Sequence, residues 1–119
     1  MTLEELLQAV KQNKHMQGED FSGLDLSNQD LSQANFSNCN FKSANLRNSN
    51  LSRAKLRECD FSKADLRGAD LSHTDLFNAD MTGAKLRRAN LTNSNRIGAR
   101  IRKWALKGTY IAGATAYVD

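Results

Sequence analysis

The sequence predicts an all-β solenoid: a four-sided tube of stacked parallel coils, with a short helical cap at its N-terminus. Three observations predict it. Every fifth residue from Phe21 to Leu91 is large and apolar, namely Phe21, Leu26, Leu31, Phe36, Phe41, Leu46, Leu51, Leu56, Phe61, Leu66, Leu71, Leu76, Met81, Leu86 and Leu91, fifteen positions without an insertion. A small residue stands two places before most of them, as at Ala34, Cys39, Ala44, Ser49, Ala54, Cys59, Ala64, Ala69, Ala79, Ala84 and Ala89. Like residues also recur at twice-doubled spacing, 20 apart: Phe21, Phe41 and Phe61; Cys39 and Cys59; Arg47, Arg67 and Arg87; Ser32, Ser52 and Ser72.

Neither regular element accounts for a period of five. In an α-helix five residues advance about 500°, which scatters successive leucines around the cylinder. In a continuous strand an odd step sends each leucine to the opposite face. All fifteen share one inner side only if the chain turns a corner in every pentapeptide, and the 20-residue recurrence makes four corners one coil. Identical side chains then stack in register from coil to coil.

The elements follow in order. Residues 1–17 are a cap helix and linker. Leu3, Leu6, Leu7 and Val10 form an i, i+3, i+4, i+7 stripe over residues 2–13, and Thr2-Leu3-Glu4-Glu5 reads as a capping box. An open solenoid end exposes apolar core and unpaired edges, so the helix is expected to cover that end. Its polar side carries acids, with only Lys11 and Lys14 opposing. Residues 18–95 are the repeats, with Gly18 at the entry. Their first coil is irregular, since Leu24 and Gln29 stand where small residues are expected. Residues 96–119 are a degenerate last coil expected to close the C-terminal end, its apolar residues capping the core or forming a dimer interface. Arg96 occupies a centre position, where a charge pointing inward is very costly, so the coil is expected to distort or Arg96 to swing outward. Ile101, Leu106, Ile111 and Ala116 keep the frame beyond it, and Trp104 is too large for the interior.

Runs such as Ala64-Asp65-Leu66-Arg67-Gly68-Ala69-Asp70-Leu71-Ser72 resemble the A(D/N)LXX signature of pentapeptide-repeat proteins. The resemblance covers residues 21–95. It implies a right-handed quadrilateral parallel β-helix, here of about four to five coils, in which the central Leu or Phe and the small residue two before it point inward. The motif is specific for fold and unspecific for function. Some members of the family are bacterial secreted effectors or thylakoid proteins, and no residue here identifies either role.

Leu, Ile, Val and Phe make up about a fifth of the 119 residues, a fraction near that of disordered chains. The periodicity overrides that reading, because a narrow tube needs only two inward residues in five. The absence of Pro leaves every residue a backbone donor. No apolar run approaches the ~20 residues of a membrane span, and the N-terminus lacks a secretory pattern. A cytoplasmic location is the expectation, although signal-independent export would look the same. Cys39 and Cys59 are expected as reduced core residues, and no spacing suggests a metal or cofactor.

A solid tube offers no concave catalytic site, so no enzymatic activity is expected. Asp60, Asp65, Asp70, Asp75 and Asp80 precede central residues at a position that Asn35, Asn40, Asn45, Asn50 and Asn90 also fill. They read as local turn hydrogen-bonders rather than acids or bases. His73 has no partner constellation. Charge is distributed along the chain: net −4 over residues 1–35, +1 over 36–81 and +7 over 82–119.

The expected function is therefore a rigid scaffold for a protein partner of unspecified identity. Phe77, Ile97, Trp104, Tyr110 and Tyr117 are the candidate interface, and the C-terminal end is also a candidate homodimer surface. The alternative is nucleic-acid or other polyanion binding through a basic face of Arg47, Arg67, Lys85, Arg87 and Arg88, with Lys107 near it. A solvated solubility face is the plain rival to that alternative, and no aromatic interleaves the arginines in sequence. The family resemblance adds a third reading, a gyrase-interacting DNA mimic, against which the net charge of +4 argues.

Overall fold

A computed structural model describes residues 2–12 and 15–112. Its organisation follows from how each pentapeptide disposes of five backbone N–H groups, since an unpaired buried donor is costly. Around Phe41, the Asn40 N–H donates to the Glu19 carbonyl in the lap below at 2.9 Å. The Phe41 and Ser43 N–H groups donate upward to Asp60 and Ser62 at 2.7 and 3.0 Å, and the Ala44 N–H closes a turn onto the Phe41 carbonyl at 3.0 Å. The fifth donor, on Lys42, points along the surface and is taken by Oδ1 of Asn40 at 2.9 Å.

Repetition of this scheme yields parallel bridges between residues 20 apart, from His15 with Asn35 to Asn90 with Tyr110. Each bridge involves a single residue per lap. A corner every five residues leaves no room for an extended strand, so the expected β character takes the form of isolated bridges rather than strands. The third residue of each corner lies in the left-handed region, as in a type II turn. Twelve such residues among those described are not glycine, with φ between 56° and 65°. Left-handed geometry costs a residue with a Cβ about 1–2 kcal/mol, and Asn bears it better than most. Gly68 has φ 73°, and a Cβ there would collide with the Asn48 side chain in the lap below.

All fifteen central residues predicted from the sequence are buried. The phenyl rings of Phe21, Phe41 and Phe61 lie one above another, with centroids 5.2 and 5.0 Å apart and the upper pair parallel within 3°. Phe36 packs edge-on against both Phe21 and Phe41. The regular path is longer than this set. Met16 is a buried centre below Phe36, its N–H donating to the Asn35 carbonyl at 2.9 Å, and Ile101 is buried above Met81. Residues 15–112 make just under five laps, in a body of 35 × 21 × 20 Å.

Helix α1, Leu3–Lys11, covers the N-terminal end of this core. The Glu5 N–H donates to Oγ1 of Thr2 at 3.1 Å, and the Thr2 N–H to Oε1 of Glu5 at 3.3 Å, completing the capping box. Leu6 and Ala9 are buried, and Leu3, Leu7, Val10 and Leu24 pack against the same cluster. Leu24, at an inward small position, is only partly buried there.

The expectation at Arg96 needs correction. The coil does not distort there and the side chain does not swing out: Arg96 keeps its centre position, is 3 % exposed, and its carbonyl accepts the turn bond from the Ala99 N–H at 3.1 Å. The frame tolerates it because the four ladder and turn bonds involve only backbone, so the path is insensitive to which side chain fills the lumen.

The path departs from the frame later. After Ile101 a 3₁₀ turn, η1 (Lys103–Leu106), replaces the expected corner, and the chain rejoins the ladder where the Arg88 N–H donates to the Gly108 carbonyl at 2.9 Å. Trp104 occupies what is otherwise the inward small position, and η1 turns it outward, leaving it 71 % exposed.

Leu66→Ala is expected to lower the unfolding free energy by about 2–5 kcal/mol. Arg47→Ala, on an exposed outward position, is expected to stay within about 0.5 kcal/mol. Urea denaturation of both variants checks the inward and outward assignment. A pH titration checks the corners. Hydrogen bonds from the Ser22 and Ser27 side chains, then from their N–H groups, hold Asp20 and Asp25 below the ordinary 3.8, and the Arg67 side chain does the same first for Asp65. A carboxyl with a lowered folded pKa stabilises above its unfolded value and loses that contribution as pH falls through the folded one. The melting temperature should therefore drop below about pH 4, and drop less steeply in Asp25→Asn/Asp65→Asn.

Candidate functional site

The 20-residue register sorts outward side chains onto four sides, each named here for a central residue: the Phe41, Leu66, Leu71 and Leu56 sides, in the order the chain visits them. Carboxylates are largely consumed by the frame. Oδ1 of Asp20, Asp25, Asp30, Asp60, Asp65, Asp70, Asp75 and Asp80 each accepts the N–H two residues on, at 2.8–3.2 Å. The asparagines at equivalent positions do the same, as Asn45 does for Arg47 at 3.1 Å. Polar residues at inward small positions are also satisfied: the hydroxyls of Ser49, Thr74 and Ser94 each donate to the carbonyl three residues earlier at 2.7 Å. No group of His, Cys, Asp and Glu among the described residues is arranged to hold a metal ion.

Cys39 and Cys59 are free and buried, one lap apart. Their thiols donate to the Met16 and Phe36 carbonyls at 2.8 and 2.9 Å. Burial pushes the Cys39 thiol up to about 11 and the Cys59 thiol up to about 12, so both stay protonated at neutral pH.

The residues expected to form one apolar interface do not lie together. Phe77 and Ile97 are stacked on the Leu56 side, Trp104 is on the opposite Leu66 side, and Tyr110 is on the Leu71 side. Phe77 is half-buried: the Arg57 guanidinium sits 4.5 Å above its ring and pairs with Asp75 at 2.8 Å. Ile97 remains 44 % exposed, Tyr110 62 % and Ile111 41 %. Ile111 is a centre residue, buried at every lower lap of its column and open here. Tyr117 lies outside the described residues. The sequence sets Phe77 and Ile97 beside the C-terminal aromatics, and η1 instead turns Trp104 out on another side.

The basic face does assemble. Arg47, Arg67 and Arg87 are in register on the Leu66 side, through bonds from the Asn48 N–H to the Arg67 carbonyl and from the Gly68 N–H to the Arg87 carbonyl, both 3.0 Å. Arg67 is partly neutralised by Asp65, with Nε and Nη2 at 2.8 and 2.6 Å from its two oxygens. Arg47 is exposed below, and Arg88 sits at the corner beside the face. Between the fourth lap and η1 lies an open groove of about 710 Å³ lined by Arg67, Lys85, Arg87, Trp104 and Lys107. The sequence shows no aromatic among the arginines; the structure brings Trp104 beside them. The available signal was a tryptophan standing where the repeat demands a small residue.

Comparison with known proteins gives a consistent result. The family model for pentapeptide repeats matches residues 20–57 and 54–93, with eight copies. Among solved structures, the chain is similar to HetL, a pentapeptide-repeat protein involved in heterocyst differentiation regulation in the cyanobacterium Nostoc, at 35 % identity and a TM-score of 0.63 over 83 % of this chain and 46 % of that one. It is similar to QnrB1, a plasmid-mediated fluoroquinolone resistance protein, at 22 % identity and a TM-score of 0.63 over 86 % of this chain and 62 % of that one. A pentapeptide-repeat protein of the Arabidopsis thaliana thylakoid lumen matches at 37 % identity and a TM-score of 0.42, over 83 % and 62 %. The chain thus spans less than two thirds of the length of each. No curated protein sequence matches it. No helix among the described residues is long and apolar enough to cross a membrane.

With both thiols buried and protonated, Ellman's reagent at pH 8 is expected to leave the folded protein almost unlabelled over minutes and to label two cysteines per chain at once in 6 M guanidinium. Immediate labelling of the native form would contradict the placement of these residues.

Proposed function

The chain belongs to the pentapeptide-repeat family, and from that premise we propose that it is a non-enzymatic rigid scaffold that docks a protein partner at its C-terminal end. Within this reading the winding is the family's right-handed, four-sided β-helix. The observation that carries the docking site is Ile111, a lumen residue left 41 % exposed beside Tyr110, with Ile97 on the adjoining side. In lower laps the equivalent centres are covered by the next lap, so this end offers apolar surface of the kind found at the middle of interfaces.

Rigidity is the functional asset. With four of five N–H groups committed to ladder or turn, the surface is preorganised and loses little conformational entropy on docking. The non-enzymatic character is supported by the carboxylates' engagement in corner hydrogen bonds, which leaves them fixed along the surface as acceptors. A second copy of the chain is one partner that fits, since an exposed end can pair with its own kind.

Pull-down from the source cell tests the proposal. Tyr110→Asp/Ile111→Asp is expected to lose a protein that the wild type retains, with little change in melting temperature; identical captured proteins would refute the docking site. Sedimentation at tens of micromolar separates the two kinds of partner. A wild-type dimer that the same variant dissociates identifies the partner as a second copy.

A further inference from the structure

The groove on the Leu66 side is a site of a different kind from the apolar end, because it combines unneutralised cations with one flat aromatic surface. It exists because η1 breaks the ladder. Below, Lys85 is bridged to Asp65 and the Leu66 N–H donates to the Lys85 carbonyl at 2.8 Å. Above, the chain leaves the column at Lys103 and returns only at Gly108, so Trp104 stands away from the wall and a cleft opens beneath it.

Four of its lining residues are cationic, Arg67, Lys85, Arg87 and Lys107, and none is acidic. Asp65 is the nearby carboxylate, and Arg67 already engages both of its oxygens. No ion pair among the described residues takes up Lys85, Arg87 or Lys107. Arg47, exposed one lap below Arg67, extends the positive track down the side. Like charges held this close repel, and an exposed tryptophan forgoes burial of a large apolar surface. A ligand that brings negative charge together with a planar ring relieves both.

We infer that this groove binds single-stranded nucleic acid, one base stacking on the Trp104 indole while adjacent phosphates contact Lys85, Arg87 and Lys107. A strand carries a ring with every charge, so it covers the indole and the cations at once. An acidic peptide neutralises the cations but brings no ring to the indole at fixed spacing, and a duplex keeps its base faces inside the stack. The groove's volume is that of an ordinary small-ligand cleft and accepts a nucleotide.

Trp104 is the one tryptophan in the chain, so its fluorescence reports on the site directly. Ten-residue oligothymidylate and oligouridylate, titrated in 50 mM salt, are expected to quench it saturably. With three phosphates neutralised, affinity should fall roughly 20-fold between 50 and 200 mM salt. Labelled-oligonucleotide anisotropy then follows the variants. Lys85→Glu/Arg87→Glu should weaken binding at least tenfold and Trp104→Ala severalfold, with Trp104→Phe recovering most of the loss. Arg53→Glu/Lys55→Glu makes the same charge change away from the groove, Lys55 being on the opposite Leu56 side, and should leave binding within twofold. The inference is overturned by any of three results: no quenching by either strand at 50 mM salt, equal binding of deca-glutamate or of a ten-base-pair duplex, or equal loss from the two charge-reversal pairs.

Discussion

One backbone donor governs this molecule. In a regular pentapeptide such as that around Phe41, four N–H groups find partners in neighbouring laps or in the corner itself, and the fifth, just after the central residue, is not taken by a backbone acceptor. In most pentapeptides an Asp or Asn two residues earlier supplies one, whereas Lys55 and Lys85 hold that position before Arg57 and Arg87. That requirement explains why the position before each centre is so often Asp or Asn, and why the two are interchangeable: only Oδ1 is used. It also fixes the side chain's direction, since an acceptor reaching forward over the corner lies flat on the surface.

From this the chemistry of the surface follows. Carboxylates that in another fold would be available for acid–base work are here structural acceptors, and most inward polar groups are satisfied by carbonyls of the same lumen. What varies most is the pair of residues after each centre, and these carry most of the cations, while Lys55, Lys85 and Arg100 stand before a centre. The accumulation of positive charge toward the C-terminus, net +7 over residues 82–119, falls mostly on these positions, at Arg87, Arg88, Arg102, Lys103 and Lys107, with Lys85, Arg96 and Arg100 outside them. Arg96 shows how far this tolerance extends, since the backbone pattern passes through it unchanged.

Both functional readings arise where the periodic scheme stops. At the end of the last described lap, Ile111 keeps a core residue's character with a surface residue's exposure. On the Leu66 side, η1 carries Trp104 outward beside a groove that it helps to line. The regular laps supply a stiff and chemically quiet support, and the departures supply places where a partner or ligand gains contacts.

The period-five pattern determined the stacking, the inward and outward assignment and the register of the arginine ladder, because each depends only on side-chain size and spacing repeated many times over. The capping box at Thr2 and Glu5 was equally legible, being local. The tertiary structure decided whatever depended on a single departure from the repeat: that Met16 already belongs to the core, that Arg96 stays inside, that Phe77 lies beneath Arg57, and that the apolar residues near the C-terminus divide among three sides. Repetition averages over single residues and so reveals the rule. A lone exception is resolved by the balance among a backbone ladder, a side chain's volume and its neighbours one lap away, and that balance exists only once the laps are stacked.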